Sequence, residues 1–202
     1  MNCHLLIINM SRTKKMSDSE VLVKAFDVIA REGFSSFTFE HVGRVVGLSP
    51  AALVKRFKSK HQLALLARNL KWEHNLGQIH SETFKTLSGY KGIFDFLSII
   101  SRSVNSERLG EHAIWLGKEA CHPRSKKKVA DYFALTRKIF TRLINEAVTD
   151  GQLKPIDNVP ELAKTMEALV QGAIFQFAFL SERDIDSHLK SHLRVLLKSY
   201  IK

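Results

Sequence analysis

GLSPAALVKRFKSKHQLALLA, from Gly47 to Ala67, holds two helix starts in quick succession. Ser49 is a strong N-cap residue, and Pro50 behind it suits the first helical position. Ser59 and Gln62 form a capping-box pattern that opens a second, longer helix. In the short helix between them, at about 100° per residue, Leu53 and Phe57 share one face. Ala51, Ala52 and Lys55 fall on the other. An ordinary solvated helix carries more charge outside. A small outer face ringed by Lys55, Arg56, Lys58 and Lys60 is suited to close approach to something anionic.

The residues before this stretch supply two more helices. Ser17-Asp18-Ser19-Glu20 is a capping box, and Val21, Ala25, Val28 and Ile29 follow at helical spacing up to a stop at Gly33. Thr38 is the next N-cap, with Phe37 and Val42 placed as a hydrophobic staple. That helix is expected to turn Val42, Val45 and Val46 inward and to end at Gly47, which can adopt positive φ. Two short helices joined by the turn Gly47-Leu48-Ser49 make a helix-turn-helix, whose second helix enters the major groove while the first crosses the backbone.

After about residue 80 the helical segments lengthen and become more apolar. Their periodicity predicts helices over 90–104, 107–119, 123–150, 159–180 and 182–201, with breaks at Ser88-Gly89, Asn105-Ser106, His122-Pro123, Gly151 to Pro160 and Ser181. The chain thus reads as all-α, with about nine helices. A flexible arm (1–16) is expected to precede a three-helix helix-turn-helix unit (17–62) and a larger helical body (63–202). The opening MNCHLLIINM has no leading positive charge and no small-residue cleavage site, so it reads as an arm or an upstream extension rather than a signal peptide.

Bulk composition agrees. Lys and Arg number 31 against 20 Asp and Glu, a formal charge of +11, and 45 % of the 202 residues are apolar. A real core and an anionic partner are both expected. No apolar run approaches the roughly 20 residues that span a bilayer, so no membrane association is expected. Cys3 and Cys121 cannot make a disulfide framework, which fits a reducing cytoplasm. No G-x-S-x-G, H-E-x-x-H or phosphate-binding glycine loop occurs, so no enzyme, cofactor or catalytic residue is expected. His188 and His192 stand at i and i+4, but no acidic or Cys partner lies near them in sequence, and no metal site is expected.

The span from Thr38 to Leu63, together with Glu32-Gly33-Phe34, resembles the DNA-binding region of TetR-type transcriptional regulators. The likeness rests on Thr38, Val42, Gly47-Leu48-Ser49, Leu53, Phe57, Lys60 and Leu63 at fixed spacing. It implies phosphate contacts from Thr38, Ser49 and Lys60, and a groove-facing set of Pro50, Ala51, Ala52 and Lys55. Arg44, Val54 and Arg56 complete the expected DNA-binding residues. Two positions depart from the family pattern. Gly43 stands where alanine is common, and Val54 stands where a backbone-touching tyrosine is common.

The resemblance also implies a ligand cavity in the body, with Phe94, Phe96, Trp115, Phe133, Phe140 and Phe175 as its expected wall. Acidic residues are sparse from Phe84 to Ser106, so a neutral or anionic apolar effector is expected rather than a lipophilic cation. The last two helices carry apolar stripes on more than one side, and one chain can cover only one of them. A homodimer is expected through Phe175, Phe179, Leu189, Leu193 and Leu196, its two-fold axis matching a palindromic duplex operator. The function expected is a sequence-specific regulator, a repressor released by a small apolar effector. The alternative is a helical binding module for an apolar ligand or partner protein, without specific DNA binding. The salt dependence of duplex binding separates the two.

Overall fold

The computed structural model describes residues 16–79, 86–104, 109–180 and 184–202, with side chains described throughout except at 75, 76, 78, 79 and 111–115. Among these residues lie nine α-helices: α1 Asp18–Glu32, α2 Phe39–Val46, α3 Pro50–Phe57, α4 Lys60–Ile79, α5 Gly89–Ser103, α6 Leu109–Ala120, α7 Pro123–Thr149, α8 Val159–Phe177 and α9 Ile185–Leu197. A 3-10 turn, Lys198–Tyr200, closes the chain.

The caps set the N-terminal boundaries. Glu20 N–H donates to Ser17 Oγ (3.3 Å) and Ser17 N–H donates to the Glu20 carboxylate (2.7 Å), so two orphan donors are satisfied reciprocally. His41 N–H donates to Thr38 Oγ1 and Ala52 N–H to Ser49 Oγ, both at 3.2 Å. Ser59 Oγ accepts from Gln62 N–H at the start of α4 (3.1 Å). Gly33 and Gly47, with φ of 84° and 70°, end α1 and α2.

Two hydrophobic clusters result. The N-terminal one joins Val21, Ala25, Val28, Ile29, Phe37, Val42, Val46, Leu53 and Phe57, and it runs on into α4 through Leu63, Ala64 and Ala67. The larger one gathers α5, α7, α8 and α9 around Phe96, Phe140, Leu143, Met166 and Leu193, and it takes in Trp72 near the middle of α4. One helix therefore belongs to both cores.

The expectations need three adjustments here. Val45 is exposed rather than inward: α2 turns only Val42 and Val46 onto the core, and Val45 lies about 100° away from Val46. The penultimate helix stops at Phe177, leaving Phe179 and Leu180 in the turn that follows. Leu189 and Leu193 are fully buried within their own chain, so they cannot also face a partner; Val195, 76 % exposed, is the outward apolar residue of α9.

Candidate nucleic-acid interface

The geometry of the α2–α3 pair follows from its small core. Leu53 and Phe57 are buried, and they hold α3 against α2 and α4. Gly47 and Leu48 N–H groups both donate to the Gly43 carbonyl, at 2.9 and 3.2 Å, which tightens the turn. Gly43 has a steric reason to be glycine. A Cβ there would sit 2.5 Å from the Leu48 carbonyl oxygen, a backbone atom that the turn cannot easily displace. A shallow cleft beside this turn is lined by Glu40, Gly43, Arg44, Gly47, Leu48 and Pro50.

With Leu53 and Phe57 inward, Ala51, Val54, Lys55 and Lys58 are exposed at i, i+3, i+4 and i+7, a single outward face. Pro50 and Ala52 are half-buried at its edge, and Ser49 is exposed at its start. The helix begins with Ser49 capping Ala52 and with Pro50 lacking an N–H, so the Ala51 N–H is the remaining early donor at the positive end of the helix dipole. That end suits a phosphate oxygen. Thr38 is half-exposed at the start of α2, and Arg44 is exposed on the same helix.

The cations divide into two groups. Lys55 is exposed on the outward face. Arg56 is turned the other way, where its guanidinium pairs with Asp18 and donates to the Met16 carbonyl (3.0 Å), strapping α3 to the start of α1. Lys60 Nζ donates to the Ser35 carbonyl (2.8 Å) and lies 4.7 Å from the centre of the Phe37 ring. Lys58 Nζ donates back to the Lys55 carbonyl (3.1 Å). Lys58 also has φ 67° and ψ −51°, and Ser59 N–H donates to the Phe57 carbonyl across it at 2.7 Å. This is a classic-sense γ-turn, rare and strained for a residue with a Cβ. It sets the angle between α3 and α4. The arm residues Arg12, Lys14 and Lys15 lie outside the described residues.

The expected ligand-pocket set does not converge. Phe96 and Phe140 pack edge to face at 5.2 Å deep in the body core. Phe94 stacks near Tyr90 and under Arg194, Phe133 lies against Tyr132, and Phe175 is 53 % exposed beside Phe179. The Trp115 side chain lies outside the described residues. What the body does contain is a buried polar chain that counting acids between Phe84 and Ser106 could not find. Glu119, 1 % exposed, accepts from Arg68 Nε (3.0 Å) and Trp72 Nε1 (2.7 Å), while its Oε2 has no hydrogen-bond partner. Trp72 stacks on Tyr132 at 5.0 Å. Burial pushes the Tyr132 hydroxyl up to about 12, and the Glu167 charge adds to the rise. Glu167 is itself buried, and burial raises its carboxyl above the usual range although Arg137 offsets part of the effect. Arg68 and Trp72 belong to α4 and Glu119 to α6. One residue before Glu119, Lys118 holds its ammonium 3.5 Å from the Phe34 ring of the N-terminal unit. The end of α6 therefore touches both cores.

Residues 21–67 match the family model described as bacterial regulatory proteins, tetR family. The N-terminal unit is a TetR-type domain. Most of the chain also shares its fold with solved transcriptional regulators. A TetR transcription regulator from Haloarcula marismortui superposes with TM-score 0.71 at 12 % identity, covering 92 % of this chain and 98 % of the other. A regulator from Saccharomonospora viridis, solved in complex with choline, gives 0.71 at 17 % identity over 92 % and 97 %. FadR from Bacillus subtilis, solved with stearoyl-CoA, gives 0.59 at 15 % identity over 88 % and 96 %. At such identities the likeness is one of fold. No curated protein matches the chain by sequence. Among the described residues no helix is long and apolar enough to cross a membrane.

Proposed function

We propose that this TetR-type chain is a sequence-specific DNA-binding regulator that acts as a homodimer. The observation that carries the reading is the outward face of α3. It is small, cationic at Lys55, and opened by a capped helix N-terminus, on a unit that matches the TetR-type DNA-binding model. Thr38, Ser49, Arg44 and the Ala51 N–H serve phosphates; Lys60 does so if its ammonium leaves the Ser35 carbonyl. Arg56 acts from behind, by fixing α3 on α1.

The dimer rests on α8. Ala168, Gly172 and Phe175 are exposed at i, i+4 and i+7, and Phe179 continues the line into the turn beyond. Phe175 and Phe179 are 53 % and 76 % exposed, and a Cβ at Gly172 would meet nothing within 4 Å. Small residues followed by stacked phenylalanines form a surface that a second copy of the helix can approach closely. Val195 on α9, the helix packed against α8, is also exposed. An apolar patch of this kind marks an interaction site, and a two-fold pair is the commonest way to close one.

Regulation is proposed as repression relieved by a small molecule. Its support is that two regulators of this fold were solved with choline and with stearoyl-CoA, and that Arg68, Trp72 and Glu119 join α4 to α6 where α6 meets the N-terminal unit. An effector that binds better when α4 is shifted would move the population away from the DNA-competent spacing. Equilibrium binding of the full chain to duplexes from upstream of its own gene, titrated with salt, tests the reading. Affinity should fall steeply as salt rises, because phosphate neutralisation releases counterions. No binding to any duplex, or binding indifferent to salt, would leave the helical-module reading in its place.

A further inference from the structure

We infer that α3 reads its half-site chiefly through thymine methyl groups, with Val54 as the principal contact and Lys55 as the sole side chain of the outward face free to hydrogen-bond a base. The inference rests on the DNA-binding reading above and adds what kind of base edge is read. In the major groove each base pair presents its own donors and acceptors, and thymine alone among the four bases presents a methyl group. Adenine is read by Asn or Gln, cytosine by Asp or Glu, guanine by Arg or Lys. The helix PAALVKRF contains no Asn, Gln, Asp or Glu. Its Arg56 is held by Asp18 and the Met16 carbonyl. Lys58, past its end, is folded back on the Lys55 carbonyl. Ser49 Oγ accepts from the Ala52 N–H at the helix start, and its remaining hydroxyl proton is the one assigned above to a phosphate.

The outward face is therefore left with Ala51, Val54 and Lys55. Val54 is 44 % exposed, between Ala51 and Lys55 on the same side; it lacks the hydroxyl by which the tyrosine common at this position touches the backbone, so its side chain is left to apolar contact alone. Its isopropyl group cannot distinguish donors from acceptors, but it gains by excluding water against a methyl. Alanine at 51 and 52 keeps the backbone low enough for Val54 to arrive. A longer side chain there would hold the helix off the groove floor. Lys55, one residue on, can reach the O6 and N7 acceptors of a neighbouring guanine.

The experiment uses the full chain and 20-base-pair duplexes enriched from a random pool by repeated binding. The enriched duplex is remade with deoxyuridine at its thymines, which removes the methyl groups and leaves every hydrogen-bonding atom in place. Fluorescence anisotropy at fixed salt should show affinity falling about fourfold per contacted methyl, the weight of one buried CH₂, and about sixteenfold when both half-sites lose one. Val54→Ala should lose most of the thymine-to-uracil difference while keeping the wild-type salt slope. Uracil duplexes binding within twofold of thymine duplexes, or Val54→Ala keeping full discrimination, overturns the thymine reading while leaving DNA binding intact. A pool from which no duplex is enriched overturns both.

Discussion

The two cores of this molecule differ in what they bury. All seven buried polar residues among the described ones, Asn69, Ser101, Glu119, Ser125, Thr136, Glu167 and His188, lie beyond Ala67, the last member of the N-terminal core. The N-terminal unit is a plain apolar wedge that keeps its chemistry on the outside, at α3. The body differs in its interior. It hides carboxylates, hydroxyls and an amide among aromatic rings, and it shows apolar surface at Phe175, Phe179 and Val195. A purely apolar small core is a stable way to hold a reading helix rigid. Buried polar groups cost stability unless paired, so the body gives up stability that the N-terminal core keeps.

The contrast can be broken most severely at the body's outer face. Phe179→Glu should yield monomers by sedimentation, and operator affinity should drop by roughly a hundredfold or more, because two linked recognition helices act with an avidity that one lacks. The α3 face is untouched in this variant. A dimeric Phe179→Glu protein would remove α8 from the interface.

A smaller effect is expected inside the body. Glu119→Ala leaves Arg68 and the Trp72 N–H without their shared acceptor, and breaking a buried pair on one side costs about 3–5 kcal/mol. Urea unfolding should show the loss. Amide exchange should place the new mobility in α4 and α6 before α2 and α3. Equal loosening of both units would show that the cores are not separable.

Two stabilising changes, one in each unit, sharpen the comparison further. Lys58→Gly removes the Cβ from the γ-turn between α3 and α4 and should stabilise the N-terminal unit by about 1 kcal/mol, read from urea midpoints. Glu167→Gln acts on the body through pH. Burial raises the Glu167 carboxyl, so the folded chain binds this proton more tightly than the unfolded one. Stability from this group is therefore present at low pH and is lost as pH rises through the raised value. The glutamine variant should melt roughly 2 °C higher at pH 7, with the gain shrinking as pH falls toward 4.5, the unperturbed value. An unchanged melting profile would mean that Arg137 compensates the burial fully.

How much of this was legible in the sequence also divides between the units. Local chemistry fixes the N-terminal one: Ser17, Thr38 and Ser49 cap as their side chains dictate, and Gly47 takes the positive φ that only glycine adopts readily. The all-α architecture and the breaks at Ser88-Gly89, His122-Pro123 and after Gly151 were readable for the same reason, while Asn105-Ser106 and Ser181 lie outside the described residues. Long-range pairings were not. Arg56 meets Asp18 and Glu119 meets Arg68 across large sequence separations, and nothing in helical periodicity records such partners. The aromatic residues expected to wall a cavity share helices but not directions: Phe96 and Phe140 point into the core while Phe175 points out. Leu189 and Leu193 form an apolar stripe as regular as any interface, and only packing shows that their own chain covers it.

Hydroxyl-radical footprinting of the full chain on an enriched palindromic duplex measures the proposed arrangement most directly. Two recognition helices brought together by α8 and α9 should protect two patches on one face of the duplex, centred one turn or about 34–36 Å apart, and Lys55→Gln should weaken both patches together. A single protected patch, or protection that survives unchanged in Lys55→Gln, would contradict a dimer that reads DNA with the outward face of α3.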